Sequence, residues 1–444
     1  MDRSLNYKVH TFGCKVNTYD GGLIQKNLSA AGFEPAPGEP RIHVLNTCAV
    51  TAEATKEAVR MIRRLKVKDP FCTVVVTGCA AQVDTGSFEN LPGADLVIAN
   101  SHKGRLPELL AKHFRGDLQE RVFKSNIFRK DDLEAGGGIE KNHTRTFLKI
   151  QDGCNSFCTY CVIPYARGKS RSIAVADLVA RVNELAANGA GEVVLTGVHI
   201  GDYEDEKFGK KFVLEDLLEQ LLLKTKVQRF RLSSLEPVEV TERLLDVYQD
   251  PRFCPHFHMS IQSANTDVLA KMKRKYTQDD VRRSLLRIRE RVPGAFIGMD
   301  VIAGFPTETL EQFNDTVSCL REVPWSRIHV FPYSERPGTR AATYEETVRP
   351  EERARRAQIL RELSMERFIS EAQTQVGTTK KVLVLKSAAK GGESLSRDYW
   401  PVQLLNADSF LDHWKGQEIE ARILRYQPSE RKGQEGHLQA EVLT

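Results

Sequence analysis

The segment Ile150-Gln-Asp-Gly-Cys-Asn-Ser-Phe-Cys-Thr-Tyr-Cys-Val-Ile-Pro164 carries three cysteines, Cys154, Cys158 and Cys161, separated by three and then by two residues. A short loop with this spacing can wrap three thiolates around one corner of a cubane cluster, so that the protein holds three irons and leaves the fourth open. An iron with a vacant coordination position can bind a substrate or a cofactor. The loop therefore predicts a reactive iron–sulfur cluster and not a fully coordinated cluster that only transfers electrons.

A structural zinc site is the alternative interpretation of the same loop. Zinc would need a fourth protein ligand to complete its tetrahedron. Neither the loop nor its flanks offers a fourth cysteine, and the nearest histidines, His143 and His199, stand well outside it in the sequence. The sequence therefore favours iron and sulfur over zinc.

The surroundings of these cysteines resemble a known family. The C-x3-C-x2-C loop, with Tyr160 just before its last cysteine, resembles the radical S-adenosylmethionine (SAM) enzymes. The longer string Gly153-Cys-Asn-Ser-Phe-Cys-Thr-Tyr-Cys-Val-Ile-Pro-Tyr-Ala-Arg-Gly-Lys-Ser-Arg-Ser172 is similar to one subfamily, the methylthiotransferases, and most similar to members that act on threonylcarbamoyladenosine in tRNA. The resemblance implies a 4Fe-4S cluster at these cysteines that binds SAM, with Tyr160 beside the cofactor.

The length and composition of the chain limit the classes of protein to which it can belong. The chain has 444 residues, a formal net charge of +5 and nine cysteines, and this length is enough for two or three domains. No apolar run approaches the roughly 18 residues that span a bilayer, and the N-terminus lacks the apolar stretch of a secretory signal. Nine cysteines without an export signal predict a cytoplasmic location, where thiols bind metals more often than they form disulfides. The modest positive charge allows a polyanionic partner without requiring one.

Three segments with different hydrophobic patterns predict three domains. The first alternates buried strands with helices, as in a parallel-sheet α/β domain, and the polar, glycine-rich stretch Asp131–Gly138 predicts a linker after it. The central segment alternates strand and helix six times, which favours a partial (β/α)6 barrel with chemistry at the C-terminal strand ends. The last segment predicts a small antiparallel β-barrel that resembles a TRAM domain. The expected bounds are 1–125 for the N-terminal methylthiotransferase domain, 126–143 for the linker, 144–373 for the radical SAM domain and 374–444 for the TRAM-like barrel.

The expected elements follow from the same apolar runs. The N-terminal domain is predicted to have strands at His43–Asn46 and Thr73–Thr77 and a helix at Ala52–Lys66. The six central strands are expected at Phe147–Gln151, Glu192–Thr196, Arg229–Ser233, His256–Ile261, Phe296–Val301 and Arg327–Phe331. Helices are expected at Ala174–Ala187, Glu308–Arg321 and Pro350–Gln373. The last barrel is predicted from runs at Lys381–Leu385, Trp400–Leu404, Glu418–Leu424 and His437–Leu443.

A second set of cysteines lies in the first segment. Cys14, Cys48 and Cys79 each follow a short apolar run, where a strand is expected to end. Strand ends of one parallel sheet can converge even when distant in sequence, but buried free cysteines are common and the pattern alone does not decide for a metal. Their contexts, Gly-Cys-x2-Asn, Asn-Thr-Cys and Thr-Gly-Cys, are similar to the methylthiotransferase N-terminal domain, and this resemblance implies a second 4Fe-4S cluster. Structural thiols are expected at Cys72, Cys254 and Cys319, which lie in no such context.

Polar residues at several strand ends of the barrel are candidates for holding SAM or substrate. They are Gly197, Ser234, Glu236, Gln262 and Asp300. The glycine allows close approach of a ligand to the backbone, whereas the Ser-x-Glu-Pro sequence is equally typical of a helix cap. The segment Ser260-Ile-Gln-Ser-Ala264 departs from the Pro-Leu-Gln-Ser-Gly of the family but retains Gln262.

Clustered basic residues predict a tRNA-binding surface, although charge runs more often form solvated faces. Phosphate contacts near the barrel mouth would supply affinity while the pocket selects the modified base. The C-terminal barrel is nearly balanced in charge and is not expected to provide most of the affinity. The clusters are Lys141/Arg145, Arg167/Lys169/Arg171, Lys271/Lys273/Arg274/Lys275 and Arg282/Arg283/Arg287/Arg289/Arg291.

The resemblance implies a two-cluster enzyme that inserts sulfur at an unactivated aromatic C–H bond. The cluster of the central loop would cleave SAM to a radical that removes hydrogen, and the N-terminal cluster would deliver a methylthio group to carbon 2 of N6-threonylcarbamoyladenosine beside the anticodon. An electron donor such as a flavodoxin or ferredoxin and a sulfur source would be needed. The alternatives are an enzyme for isopentenyladenosine in tRNA, one for an aspartate of a ribosomal protein, and a non-catalytic RNA-binding protein with zinc at the cysteines.

Overall fold

The structure is a computed structural model. It describes residues 5–36, 38–130, 144–207, 210–385, 393–405, 414–431 and 433–443. The predicted linker stretch Asp131–Gly138 lies outside these residues, as do Lys141 and His143. Among the described helices, none has the length and apolar character needed to cross a bilayer.

The N-terminal domain is a parallel sheet with helices on its faces, as predicted. β3 and β4 are buried along their whole length, which accounts for their continuous apolar sequences. The six described strands have the order β2-β1-β3-β4-β5-β6. The strands are β1 (Asn6–Thr11), β2 (Glu34–Pro35), β3 (Ile42–Thr47), β4 (Thr73–Gly78), β5 (Leu96–Ala99) and β6 (Val122–Phe123). The helices are α1 (Lys15–Ala30), α2 (Ala52–Lys68), α3 (Cys79–Val83), α4 (Gly86–Glu89) and α5 (Leu106–Arg115).

The central domain is the predicted partial barrel. Its strands are β7 (Arg145–Lys149), β8 (Gln151–Asp152), β9 (Arg171–Ser172), β10 (Glu192–Thr196), β11 (Asp205–Lys207), β12 (Lys210–Phe212), β13 (Phe230–Leu232), β14 (Ser234–Leu235), β15 (His256–Gln262), β16 (Phe296–Ala303) and β17 (Arg327–Pro332). Its helices are α6 (Ile163–Arg167), α7 (Val175–Ala187), α8 (Leu214–Lys224), α9 (Glu242–Val247), α10 (Thr266–Lys271), α11 (Gln278–Arg291), α12 (Leu310–Glu322) and α13 (Pro350–Gln373).

One strand of the barrel is broken in the middle. Parallel pairing runs β7-β10-β13 and then β14-β15-β16-β17. Because only Ser233 separates β13 from β14, the two segments form a single interrupted strand, and six parallel strands result. Helix α7 illustrates how the outer layer packs: Val175, Leu178, Val182 and Leu185 recur on one face and are buried against the sheet.

The C-terminal domain is a closed five-stranded barrel of TRAM-like form. The strand order is β18-β19-β20-β22-β21, and the β20–β22 pair is parallel whereas the other pairs are antiparallel. The sequence did not predict β19, because its residues Glu-Ser-Leu-Ser lack an apolar alternation. The strands are β18 (Thr379–Val384), β19 (Glu393–Ser396), β20 (Pro401–Leu405), β21 (Glu418–Gln427) and β22 (His437–Val442).

This small barrel closes the N-terminal end of the partial barrel. Arg229 pairs with both Glu192 of β10 and Glu418 of β21. Arg231 pairs with Glu192 at 2.9 Å and donates to the Arg397 carbonyl at 3.0 Å. The C-terminal domain therefore forms the floor beneath the barrel interior, on the side opposite the cysteine loop.

Candidate functional site

The three cysteines of the central loop lie between β8 and α6, directly above the first barrel strand. The loop folds back on itself, since the Cys154 amide donates to the Gly168 carbonyl at 3.1 Å and the Cys161 amide to the Cys158 carbonyl at 3.0 Å. Burial, together with the nearby Cys158 and Cys154, raises the pKa of the Cys161 thiol to about 12. Thiols so placed become thiolates only beside a compensating cation, and a metal ion deprotonates the thiols that coordinate it. The donor set therefore fits a metal cluster.

His199 lies beside this loop, although the sequence placed it well outside. The strand β10 pairs with β7, so the end of β10 carries His199 to Cys154, with Nδ1 3.9 Å from Sγ. Single ligand atoms of Cys154, His199 and Asp202 lie within 4.8 Å of one another, so the absence of a nearby histidine no longer argues against zinc.

The hydrogen bonds of His199 argue against zinc instead. Its Nε2 lies 2.6 Å from a Glu239 oxygen, and its Nδ1 lies 3.1 Å from an Asp202 oxygen. Burial lowers the pKa of His199, but the bonds to Asp202, Cys154 and Glu239 outweigh it and raise the pKa far above the usual range. An imidazole protonated at both nitrogens has no lone pair for a metal. His199 therefore acts as a fixed cation beside the loop.

A buried cation also holds the other side of the loop. Arg274 donates to the Tyr160 hydroxyl at 2.7 Å and pairs with Glu236. Its charge acts on the Cys158 thiol, where it opposes the rise in pKa caused by burial. Two predicted cofactor contacts, Tyr160 and Glu236, are thus joined through a residue that the sequence had assigned to phosphate binding.

The second cysteine set is assembled by the N-terminal sheet. Cys14 occupies the N-cap position of α1 after β1, Cys48 directly follows β3, and Cys79 directly follows β4. The strands β1, β3 and β4 are neighbours in the sheet, so the three residues meet at one edge. Burial raises the pKa of Cys48 to about 12, and Cys79 and Cys14 contribute in the same direction. The structure thus brings together three thiols that are distant in sequence.

Gly13 makes this convergence possible. Its φ is +88°, and a Cβ built on it would lie 2.5 Å from the Cys48 sulfur. Any larger residue would displace that thiol or the chain that carries Cys14. The Cys79 thiol is also fixed, because the Asn100 side-chain amide approaches its sulfur at 3.6 Å.

One cavity joins the N-terminal cysteines to the barrel interior. Its volume is about 580 Å³, and Cys14, Cys48 and Cys79 line it together with strand residues of the barrel and Tyr399 of the C-terminal domain. Among the predicted SAM or substrate contacts, Gly197, Ser234 and Asp300 line this cavity. Tyr160, Glu236 and Gln262 do not line it, and neither do the three loop cysteines.

Ser234 and Asp300 are linked by a residue that the sequence analysis missed. A hydrogen bond of 2.6 Å joins the Ser234 hydroxyl to His258 Nδ1, and His258 Nε2 lies 3.2 Å from an Asp300 oxygen. The chain of bonds crosses three neighbouring strands inside the cavity. Alternation along β15 could have identified His258, because it lies two residues before Ser260 and so on the same face of the strand, and both residues line the cavity.

The remaining predicted contacts have local roles. Gly197 starts the turn after β10, and a Cβ there would lie 2.8 Å from Ile200. The Gln151 side-chain oxygen accepts bonds from the Val198 and His199 amides at 3.0 and 2.9 Å, which fixes this turn to the cysteine loop. Gln262 ends β15 with φ of +60°, a left-handed conformation that bends the strand end.

A buried charge network connects the two cysteine sites, and it corrects the assignment of Arg167 to tRNA binding. Arg167 is 4% exposed and donates to Asp152 at 2.8 Å and to Asp20 at 3.0 Å. Lys149 pairs with the same two carboxylates at 3.2 and 2.8 Å. Asp152 lies at the loop of the barrel and Asp20 lies on α1 after Cys14. Arg167 therefore holds the segments that carry the two cysteine sites in a fixed relative position.

Exposed lysines remain at the barrel mouth. Lys169, Lys271, Lys273 and Lys275 are exposed on the two segments beside the cysteine loop, and the Thr159 hydroxyl of that loop donates to the Lys271 carbonyl at 2.9 Å. The arginines of α11 instead form surface ion pairs, as Arg282 does with Glu322.

Three aromatic rings pack together at the cysteine loop and the helix that follows it, and they were not predicted. Phe128, Phe157 and Tyr165 have ring centroids about 6 Å apart, and Phe157 and Tyr165 are exposed. Exposed aromatic rings beside lysines are typical of surfaces that stack on unpaired bases.

Family models match both halves of this site. The Radical SAM superfamily matches residues 148–320, and the uncharacterized protein family UPF0004 matches residues 6–99. A protein of Aquifex aeolicus named threonylcarbamoyladenosine tRNA methylthiotransferase is 35% identical over 380 residues, which are 85% of this chain and 92% of that protein. The chain belongs to the radical SAM tRNA methylthiotransferase family. It is therefore an enzyme whose cofactors are a 4Fe-4S iron–sulfur cluster and SAM.

The names of other relatives state a different substrate. A protein of Geotalea uraniireducens named tRNA-2-methylthio-N(6)-dimethylallyladenosine synthase is 32% identical and covers 89% of this chain and 91% of its own length. Among solved structures, the radical SAM methyltransferase TsrM of Kitasatospora setae, with cobalamin and a 4Fe-4S cluster bound, has a TM-score of 0.56 at 15% identity and covers 77% of each chain. That similarity concerns the fold alone.

Proposed function

We propose that this enzyme transfers a methylthio group to carbon 2 of N6-threonylcarbamoyladenosine next to the anticodon of tRNA. The observation that carries the proposal is the cavity in which three N-terminal thiols meet the strand ends of the barrel. The names of the Aquifex aeolicus protein and of a Bacillus subtilis relative, 35% identical over 348 residues, support this substrate.

The proposal gives the two cysteine sets different roles. Cys154, Cys158 and Cys161 would hold one 4Fe-4S cluster, and Cys14, Cys48 and Cys79 would hold a second. When bound, the first cluster and SAM supply the one-electron chemistry that an aromatic C–H bond requires and that no side chain provides. The chain itself holds the two sites at a fixed separation through the ion pairs of Arg167 and closes the reaction space with the C-terminal barrel.

Substrate binding is proposed at the barrel mouth. Lys169, Lys271, Lys273 and Lys275 would contact phosphates of the anticodon stem-loop. Phe157 and Tyr165 would stack on unpaired bases beside the target nucleoside. Gly197, Ser234 and Asp300, which line the cavity, would then contact the target nucleoside or SAM, whereas Tyr160, Glu236 and Gln262 would shape the loop and strand ends around the cofactor.

The proposal also includes the supply of electrons and sulfur. An electron donor such as a flavodoxin or ferredoxin would reduce the loop cluster, and a separate sulfur source would replace the sulfur consumed in each turnover. The cytoplasm, where tRNA and these donors occur together, is the proposed location.

Nucleoside mass spectrometry of tRNA from a deletion strain tests the function. Loss of the methylthio-threonylcarbamoyl nucleoside, with its unmethylthiolated precursor retained, is the expected result. Loss of the methylthio-isopentenyl nucleoside would instead show that the substrate is isopentenyladenosine, as the name of the Geotalea uraniireducens relative states for that protein. An unchanged profile would reject tRNA as the substrate.

A further inference from the structure

Lys15 is an ionisable residue of the cavity for which the site described above has no role. It directly follows Cys14, begins α1 and lines the cavity. The charged and ionisable groups that act on it are Tyr399, Arg145, Arg231 and Asp300, all from the barrel interior or its floor. Within the part of the chain that the structure describes, its ammonium makes no hydrogen bond or ion pair. A cation thus reaches from the N-terminal domain into the barrel without a counter-ion in contact.

Two further polar atoms of the same cavity have no partner. The Ser233 hydroxyl and His256 Nδ1 are buried, with their residues 5% and 2% exposed, and neither makes a hydrogen bond among the described residues. Both residues line the cavity together with Lys15. Leaving a buried polar group without a hydrogen bond is unfavourable, so their positions indicate a ligand that supplies complementary atoms.

The geometry points to a subsite for a carboxylate, and we propose that Lys15, Ser233 and His256 receive the threonyl carboxylate of the substrate nucleoside. The inference rests on the proposed function for the identity of the ligand. An ammonium, a hydroxyl and an imidazole can each donate to a carboxylate. An apolar isopentenyl group at the same position would leave all three unpaired, which is the strongest form of discrimination that a pocket can exert. Lys15 would therefore determine specificity between the two classes of modified adenosine.

SAM also carries a carboxylate, and Gly197, Ser234 and Asp300 of this cavity are candidate SAM contacts, but the position of Lys15 favours the nucleoside. SAM is expected at the loop of Cys154, Cys158 and Cys161, and none of these residues lines the cavity that Lys15 enters. Lys15 lies instead beside Cys14, on the side from which the methylthio group is proposed to come. The target nucleoside must approach that side, so its threonyl group is the carboxylate within reach.

Binding of modified RNA to the anaerobically purified holoenzyme tests the subsite. Three anticodon stem-loop RNAs are compared: one with threonylcarbamoyladenosine, one with its methyl ester, and one with isopentenyladenosine. Lys15→Met should weaken binding of the first RNA by about 10- to 100-fold, because a charge-assisted bond is lost, and leave the other two unchanged. Lys15→Arg should retain most of the preference for the free carboxylate. Lys26→Met, which removes an exposed lysine from the same helix, should match the wild type.

The affinity for SAM and the iron content are measured for every variant. Both should equal the wild-type values, and if Lys15→Met loses iron then Lys15→Gln is used in its place. Wild-type discrimination by the Lys15→Met enzyme would overturn the subsite, and so would a loss of SAM affinity with unchanged RNA preference. If the wild-type enzyme prefers the free carboxylate through Lys15 but forms no methylthio product from that RNA, the proposed function is wrong while the carboxylate subsite stands.

Discussion

The two cysteine sites of this chain are built in opposite ways. Cys154, Cys158 and Cys161 lie on one loop whose own backbone bonds bring them together. Cys14, Cys48 and Cys79 lie on three strand ends and meet only because β1, β3 and β4 are neighbours in a parallel sheet. The first site needs a loop, whereas the second needs a folded domain.

The surroundings of the two sites differ as well. The loop cysteines lie between two fixed cations, His199 and Arg274, each held by carboxylates. The N-terminal cysteines line an open cavity with Arg167, which is held by two carboxylates, and with Lys15, for which the described residues supply no counter-ion in contact. Paired cations at both sites suit a permanent cofactor, whereas the unpaired Lys15 suits a ligand that enters the cavity in each turnover.

Removing the thiols of each site separately gives the largest effect. Replacing Cys154, Cys158 and Cys161 by alanine should remove about half of the iron and abolish both SAM cleavage and product. Replacing the three N-terminal cysteines should also remove about half of the iron and abolish the methylthio product, but SAM cleavage should continue. Iron and acid-labile sulfide analysis, together with chromatography of the adenosine products, distinguishes these results.

Cys319→Ala is the control for this comparison. Cys319 is a buried thiol on α12, as expected for a structural cysteine, so its loss should leave the iron content unchanged. Equal loss of SAM cleavage from both triple variants would contradict the separate roles.

The same contrast explains how much the sequence could predict. The loop, the six central strands and helix α13 follow from local spacing, and the structure has α13 at the predicted bounds, Pro350–Gln373. His199 was placed wrongly because its distance from Cys154 depends on the pairing of β10 with β7, which no local pattern contains. Arg167 and Arg274 were assigned to the surface by charge alone, and only the three-dimensional structure shows the buried carboxylates that hold them. Side-chain partners on segments distant in sequence were the part that could not be predicted.

Arg167→Met should disrupt the connection between the two sites. Its side chain is 3% exposed and pairs with Asp20 and Asp152, so its removal leaves two buried carboxylates with only lysines for partners. Breaking a buried pair in this way costs roughly 3–5 kcal/mol of unfolding free energy. Denaturant unfolding under anaerobic conditions measures the loss, and iron should fall at both sites.

Arg243→Met is the matched control for that substitution. Arg243 also pairs with two carboxylates, Asp216 and Glu219, but its side chain is 44% exposed. An exposed pair contributes about 1 kcal/mol or less. A similar loss of stability in both variants would show that burial of the Arg167 network is not what matters.

Gly13→Ala should give the smallest loss of iron, and it tests the N-terminal site alone. Gly13 and Gly32 both have positive φ, +88° and +87°, but a Cβ would lie 2.5 Å from the Cys48 sulfur at Gly13 and would meet nothing within 4 Å at Gly32. Each alanine should cost about 1–2 kcal/mol for the left-handed backbone, and overpacking at Gly13 adds about 1–3 kcal/mol. Iron analysis should show a loss of up to half in Gly13→Ala and none in Gly32→Ala. Since the two substitutions impose the same backbone strain, equal iron contents would mean that the approach of Gly13 to Cys48 does not govern the assembly of this site.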